Sequence, residues 1–387
     1  MSLRRRLRPA WLQLHRWLGL LLGVWFVLLG ATGSALVFYV DLEPAFDAGA
    51  APRPATGPVS MQTVVRALEA AHPQRRAGWR IELPAPGQAL VTARYLRPQE
   101  TAGRAFAPLL VSVDANTGRV VASRFWGDTA MTWLYDLHYT LLLDRIGRQA
   151  VALAGLALVL SVASGLWLWW PNAGHWRQAL RFKRDASSPR RMYDLHKWGG
   201  LLALPFLLVL GLTGSVLAWP SLYEPAVAAL GVSGTVPQPR SLSPAGPRRS
   251  VDDVLQRVRA RWPQAQVRWL DVPGDDPAAA FRARVRLPGE PGGRFPASLA
   301  WLDARSGELL ATHTPADFGG ADVFRQWLHP LHSGEAFGLA GRIAVCASGV
   351  LPLLLAVTGW LRWRHKHHAP RPAGPARLTR PQPTRSP

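Results

Sequence analysis

The chain has 387 residues, 45 Lys/Arg against 24 Asp/Glu, and one cysteine, so an intramolecular disulfide and any cysteine-ligated cluster are excluded. The formal charge of +21 first suggests a nucleic-acid binder. Its distribution argues against that: residues 1–16, 171–197 and 362–387 hold 19 basic residues against only Asp185 and Asp194, whereas 41–148 carries 12 basic and 10 acidic and 221–342 carries 14 and 12.

The basic segments flank apolar runs. His15 to Phe38 reads HRWLGLLLGVWFVLLGATGSALVF, and His196 to Trp219 reads HKWGGLLALPFLLVLGLTGSVLAW. At about 1.5 Å per residue, each is long enough to cross a hydrocarbon core of roughly 30 Å, with its histidine in the first turn. Val151 to Trp170 and Ile343 to Leu361 supply two more spans. Lys and Arg concentrate on the cytoplasmic side of spans, so both termini and the 171–197 loop are expected inside and the two long, nearly neutral segments outside. Arg4-Arg5-Arg6 before the first run resembles the start of a leader, but the run exceeds a typical signal core and its copy at 196 is internal, so it is expected to remain.

In chain order the expectation is a cytoplasmic N-terminus (1–16), a span (17–40), an outer module (41–130), an interfacial helix and second span (131–170), a cytoplasmic loop (171–195), a third span (196–220), a second outer module (221–322), an interfacial helix and fourth span (323–363) and a basic, Pro-rich disordered tail (364–387). In the first module, residues 59–73 have helical apolar spacing, with Ser60 as N-cap and Pro73 as terminator. Alternating runs at 79–83, 89–95, 108–113 and 119–123 predict strands, the last two joined by the Asp114 to Gly118 turn. The second segment has the same order: a helix ending at Pro263 and a turn from Asp303 to Gly307. Trp133 to His138 aligns with Trp327 to His332, Gly147-Arg148 with Gly341-Arg342, and Gly165 with Gly359. The fold class is therefore a membrane α-helical protein of four transmembrane helices, built as two parallel repeats of span, outer α+β module, span.

Of eleven histidines, four occupy duplicated positions: His15 with His196 at the inner face, His138 with His332 at the outer. One reading makes them polar residues at the interface, beside the anchors Arg16 and Lys197. The other makes them functional: ionisable groups near spans mark sites, and a pseudo-two-fold axis would bring like histidines face to face. Two imidazoles without a repeated carboxylate or thiolate make a poor zinc site but satisfy the axial positions of a haem iron. Gly19 and Gly200, one turn from the inner histidines, would leave a groove for a macrocycle, or serve helix packing. Arg16, Lys197, Arg148 and Arg342 are candidate partners for haem propionates, or membrane anchors. His329, three residues before His332, is read as an interfacial polar residue. There is no nucleotide-binding loop, so electrons would come from a quinol or a separate reductase.

The H-[RK]-W-x-G starts at His15 and His196 with the later T-G-S, the L-H starts at His138 and His332 with the later G-R and [ST]-G, and the two outer modules together resemble the PepSY-associated transmembrane family, over about residues 11–365. The resemblance implies a multi-pass protein of the bacterial inner membrane with PepSY-like extracytoplasmic modules, two haem b groups held by His15/His196 and His138/His332, and an oxidoreductase that passes electrons to a ferric siderophore in iron uptake. The alternative is a non-enzymatic membrane protein whose PepSY modules bind or restrain an extracytoplasmic protein.

Overall fold

The computed structural model describes residues 3–183, 185–231, 233–242 and 246–368. Most of the expected tail, from 369 onward, lies outside the described residues. In chain order the helices are α1 (Leu3–Leu36), α2 (Tyr39–Phe46), α3 (Met61–Ala71), α4 (Ala130–Thr140), α5 (Asp144–Trp169), α6 (Trp176–Leu180), α7 (Ser188–Ala218), α8 (Pro220–Ala228), α9 (Val251–Arg261), α10 (Gly320–Ser333), α11 (Gly338–Ser348) and α12 (Leu351–His368). The strands are β1 (Trp79–Glu82), β2 (Leu90–Tyr95), β3 (Leu109–Asp114), β4 (Arg119–Phe125), β5 (Gln266–Val272), β6 (Phe281–Arg286), β7 (Leu299–Leu302) and β8 (Leu309–His313).

Among the described residues, four helical stretches are long and apolar enough to cross a membrane: 6–36, 144–169, 188–218 and 335–367. Leu21, Val24, Leu153, Leu202, Leu353 and Val357 are exposed along them, as lipid-facing side chains must be. α1 and α7 each pack against both α5 and α12, which places α1 and α7 diagonally across the bundle.

Three local expectations change. The inner histidines do not sit in a first helical turn, because α1 begins at Leu3 and α7 at Ser188, well before His15 and His196. The basic segment ahead of each apolar run is made of good helix formers (Leu, Arg, Met, Lys), so the helix continues beyond the apolar boundary. The fourth span is two helices, interrupted at Gly349 and Val350, where a Cβ on Gly349 would fall within 2.4 Å of the Gly30 carbonyl of α1. The second span begins at Asp144, about two turns earlier than the apolar run from Val151 suggests.

Outside the membrane, Ser60 caps α3 by accepting from the Thr63 amide, and Gly118 takes the left-handed conformation (φ +69°) that closes the β3–β4 turn. Each outer segment contributes one sheet-covering helix, α3 or α9, followed by four antiparallel strands. They do not form two separate modules, however: β1 pairs antiparallel with β5, giving one eight-stranded sheet in the order β4-β3-β2-β1-β5-β6-β7-β8. α3 and α9 cover one face together. Val64, Leu68, Val254 and Leu255 from the helices and Ile81, Val91, Val111 and Leu270 from the strands are fully buried there, each stabilising by about 1.5–3 kcal/mol. The helices also join at their N-termini, where Asp252 accepts from Ser60 Oγ (2.6 Å) and the Met61 amide (2.7 Å). The opposite face alternates out of that core and is charged: Arg80, Glu82, Arg94 and Asp271 lie on it.

Candidate functional site

The four duplicated histidines come together as two pairs. The rings of His15 on α1 and His196 on α7 have centres 6.1 Å apart, and those of His138 on α4 and His332 on α10 lie 6.3 Å apart. Gly33, against which His138 packs, is eighteen residues along α1 from His15, so the pairs stand roughly 27 Å apart along the bundle. Two metal–imidazole bonds of about 2 Å, plus roughly 1 Å from each nitrogen to its ring centre, require about 6 Å between ring centres. The spacing of each pair therefore matches that of two imidazoles that share one metal ion.

Every one of these imidazoles is held by a Ser/Thr-Gly dipeptide on a neighbouring helix. His15 Nδ1 lies 3.0 Å from Ser164 Oγ and 3.0 Å from the Ser161 carbonyl, both on α5. His196 Nδ1 lies 2.9 Å from Thr358 Oγ1 on α12, His138 Nδ1 2.9 Å from Thr32 Oγ1 on α1, and His332 Nδ1 3.0 Å from Thr213 Oγ1 on α7. Each hydroxyl donates its single proton to a carbonyl of its own helix: Thr32 to Leu28 (2.8 Å), Thr213 to Val209 (2.6 Å), Thr358 to Leu354 (2.6 Å) and Ser164 to Ser161 (2.8 Å). Only its lone pairs are left for the histidine, so the imidazole donates from Nδ1–H. In the neutral ring this leaves the lone pair on Nε2, the state a metal ligand needs.

The glycine of each dipeptide makes room for the ring. A Cβ would come within 3.0 Å of His138 Cε1 at Gly33, 2.9 Å of His15 Cε1 at Gly165, 2.8 Å of His332 Cε1 at Gly214 and 3.4 Å of His196 Cε1 at Gly359. Gly147 and Gly341 act at the outer turns. A Cβ on Gly147 would collide with the Thr140 carbonyl and one on Gly341 with that of Gly334, so both are needed for the histidine-bearing helices to fold back onto the spans.

A narrow cavity of about 260 Å³ lies beside the inner pair, lined by Gly19, Gly23 and Gly200, apolar side chains, and Arg8 and Arg362 at its polar end. No side chain approaches within 4 Å of the position a Gly19 Cβ would take, and the nearest to Gly200 is Leu355 at 3.9 Å. Of the cations expected here, Arg16 donates to Gln13 and covers Trp17. Lys197 gives its protons to the carbonyls of Ala179 (2.9 Å) and Arg181 (3.0 Å) and to Asp194 (3.0 Å), a buried clasp that ties the 171–197 loop to α7. The cations that line the inner cavity without such a clasp are Arg8 and Arg362.

A larger chamber, about 1,040 Å³, lies between the charged face of the sheet and the outer ends of the helices. That is at the upper end of ordinary ligand pockets. Tyr135, Tyr139, His329 and Ser333, all close in sequence to His138 or His332, form its floor with Arg148 and Arg342. Arg148 donates to the Ala218 carbonyl at the end of α7 (3.3 Å), and Arg342 to the Val37 carbonyl just past α1 (3.0 Å) and to Asp41. His329 lies edge-on to Phe295 and 4.0 Å from Glu335; burial pushes its pKa down, and the Glu335 carboxylate only partly opposes this. Burial also favours the neutral form of Glu82, yet Arg294, Arg94 and Arg268 outweigh it and hold the carboxyl below its usual range.

His72, His175, His313, His365 and His367 lie apart from both pairs, and among the described residues no cluster of three or more His, Cys, Asp or Glu exists that would suit zinc. The residues that sequence reasoning missed are Arg8 and Arg362; Ser164 and Thr358 stand in the repeated [ST]-G motif without any sign of what they hold. Thr32, Thr213 and all four glycines were visible as duplicated positions, but nothing in the sequence names the histidine each one meets.

A four-span bundle carrying paired histidines at both ends and capped by one antiparallel sheet defines a polytopic membrane protein. The model of the PepSY-associated TM region matches residues 12–366, and the chain belongs to that family. It is also similar to "Uncharacterized protein PA4219" of Pseudomonas aeruginosa, at 33% identity over 107 residues, 28% of this chain and 24% of that protein. The chain thus aligns with about a quarter of that relative's length.

Proposed function

We propose that the chain is a two-haem electron-transfer protein of the bacterial inner membrane, assembled from two repeated halves with PepSY-like outer parts. His15 and His196 would hold the inner haem b, His138 and His332 the outer. The observation that carries this reading is the fourfold recurrence of one arrangement: a Ser/Thr hydroxyl fixing Nδ1–H, a glycine under the ring, and like rings about 6 Å apart at both ends of the bundle. Interfacial polar residues would need none of these three features in common. When bound, a haem held by these histidines would supply reversible one-electron chemistry.

The chain's own residues do the rest. The hydroxyls orient the imidazoles and keep Nε2 unprotonated. The glycines of α1 and α7 let a flat ring approach the backbone. Arg8 and Arg362 would supply positive charge for propionates at the inner pair, whereas Arg148 and Arg342 at the outer end are already bonded to Ala218, Val37 and Asp41. The excess of Lys and Arg at 1–16, 171–197 and 362–387 supports cytoplasmic termini, and a reporter fused after Ala51 is expected to read periplasmic; a cytoplasmic reading would overturn the orientation.

The electron donor would be a quinol or a separate reductase, and the acceptor a ferric chelate such as a siderophore, docked in the outer chamber. Reduction of the bound ferric ion takes one electron and leaves it ferrous. Pre-reduced protein in detergent is expected to be reoxidised by a ferric siderophore, and a variant carrying both His138→Ala and His332→Ala is expected to be reoxidised at least about tenfold more slowly. Equal rates would refute the outer route.

A further inference from the structure

We propose that the sheet-side wall of the outer chamber is a binding site for an anionic chelate rich in carboxylate groups, with Arg268, Arg286 and Arg94 as the recognising cations. Seven arginines line this chamber against Asp41, Asp136, Asp144 and Glu335, and counting Glu82 just behind the wall still leaves an excess of two positive charges. The excess is local, because each of these acids already has partners. Asp136 takes Arg104 (2.6 Å) and the Trp126 indole (2.8 Å), and Asp144 takes the Ala105 amide (3.0 Å). Glu335 accepts from the amides of Gly293 (3.0 Å) and Arg294 (2.9 Å), while Asp41 is paired with Arg342.

The arginines divide the same way. Arg104, Arg294 and the membrane-side pair Arg148 and Arg342 all have close partners. Glu82 is taken by both arms of Arg294 at 2.9 Å, so Arg94 reaches it only at 3.7 Å and lies over the Trp269 ring instead. The Nε groups of Arg94 and Arg268 are buried without a hydrogen-bond partner, and Arg286 has only the Glu290 carbonyl at 3.5 Å. Three guanidinium groups thus line a partly open chamber with no carboxylate of the described residues within 3.5 Å of any of them. A planar fork of donors in a partly desolvated wall matches carboxylate oxygens bidentately, and a cationic ligand would meet uncompensated like charge there. In the redox reading, on which the metal in the chelate depends, this makes the preferred acceptor a negatively charged ferric complex.

Binding can be measured apart from electron transfer by using gallium(III) citrate, which resembles the ferric complex but is not reduced. Titrated calorimetrically into the purified full-length chain, it is expected to bind with an affinity that falls as salt rises. Arg268→Gln and Arg286→Gln are each expected to weaken it about tenfold or more, the size of a lost charge-assisted hydrogen bond. Arg259→Gln, an exposed position on α9 at the other face of the sheet, removes the same charge and is expected to change nothing. No binding, equal affinity in all three variants, or equally tight binding of a gallium trihydroxamate that carries a free ammonium group would overturn the assignment. Because gallium accepts no electron, these outcomes are independent of whether the histidine pairs carry haem.

Discussion

Replacing both members of one histidine pair is expected to remove one haem and leave the other. His15→Ala with His196→Ala should abolish the inner group, His138→Ala with His332→Ala the outer, and each double variant should retain about half the haem of the parent. The sites are independent because they share no holding residue: Ser164-Gly165 and Thr358-Gly359 serve the inner rings, Thr32-Gly33 and Thr213-Gly214 the outer. Haem content is measured per chain after extraction, with the absorption spectrum of what remains. Full haem content in either double variant would mean that its histidines are not ligands. The same comparison tests folding, since loss of both haems together would mark a collapsed bundle rather than a lost ligand.

The second large effect is expected from methyl groups. Gly214→Ala puts a Cβ 2.8 Å from the His332 ring, and Gly165→Ala puts one 2.9 Å from the His15 ring, both closer than carbon atoms tolerate. The ring must turn away, which also breaks its Nδ1–H bond to the adjacent hydroxyl. Gly359→Ala leaves 3.4 Å to the His196 ring and is expected to be nearly silent. Thr213→Val, which keeps the shape of the side chain and removes the acceptor, is expected to lower haem affinity by about 10- to 100-fold, the usual cost of losing a partner that orients a ligating histidine. Equal effects at Gly214 and Gly359 would show that crowding of the imidazole is not what these glycines avoid.

Much of this molecule is legible in the sequence because its signals are local. Apolar runs of sufficient length announce the spans, Ser60 and Pro73 bound α3, and Asp114 to Gly118 marks the hairpin. The duplication of His15, His138, His196 and His332 also singles out the side chains that the fold pairs, before any contact is known. What stays hidden depends on pairings distant in the chain. The antiparallel match of β1 with β5 joins residues such as Ile81 and Leu270, and neither strand carries a mark of its partner, so one sheet reads as two modules. The turn from α4 into α5 runs through Leu141, Leu142 and Asp144 at positive φ, a conformation no sequence rule assigns to leucine. Lys197 looks like a free cation beside a histidine, and only the return of the 171–197 loop, with Ala179 and Arg181 presenting carbonyls, reveals it as a clasp. Thr32 and Thr213 look like span residues until His138 and His332 arrive from over a hundred residues away.

The most direct test of the proposal as a whole is the haem content of the purified full-length chain, determined per polypeptide and accompanied by a reduced-minus-oxidised absorption spectrum. Two haems per chain, both low-spin as two axial histidines require, are expected. A chain produced with ample haem that carries none, or whose haem is high-spin with an open axial position, would contradict it.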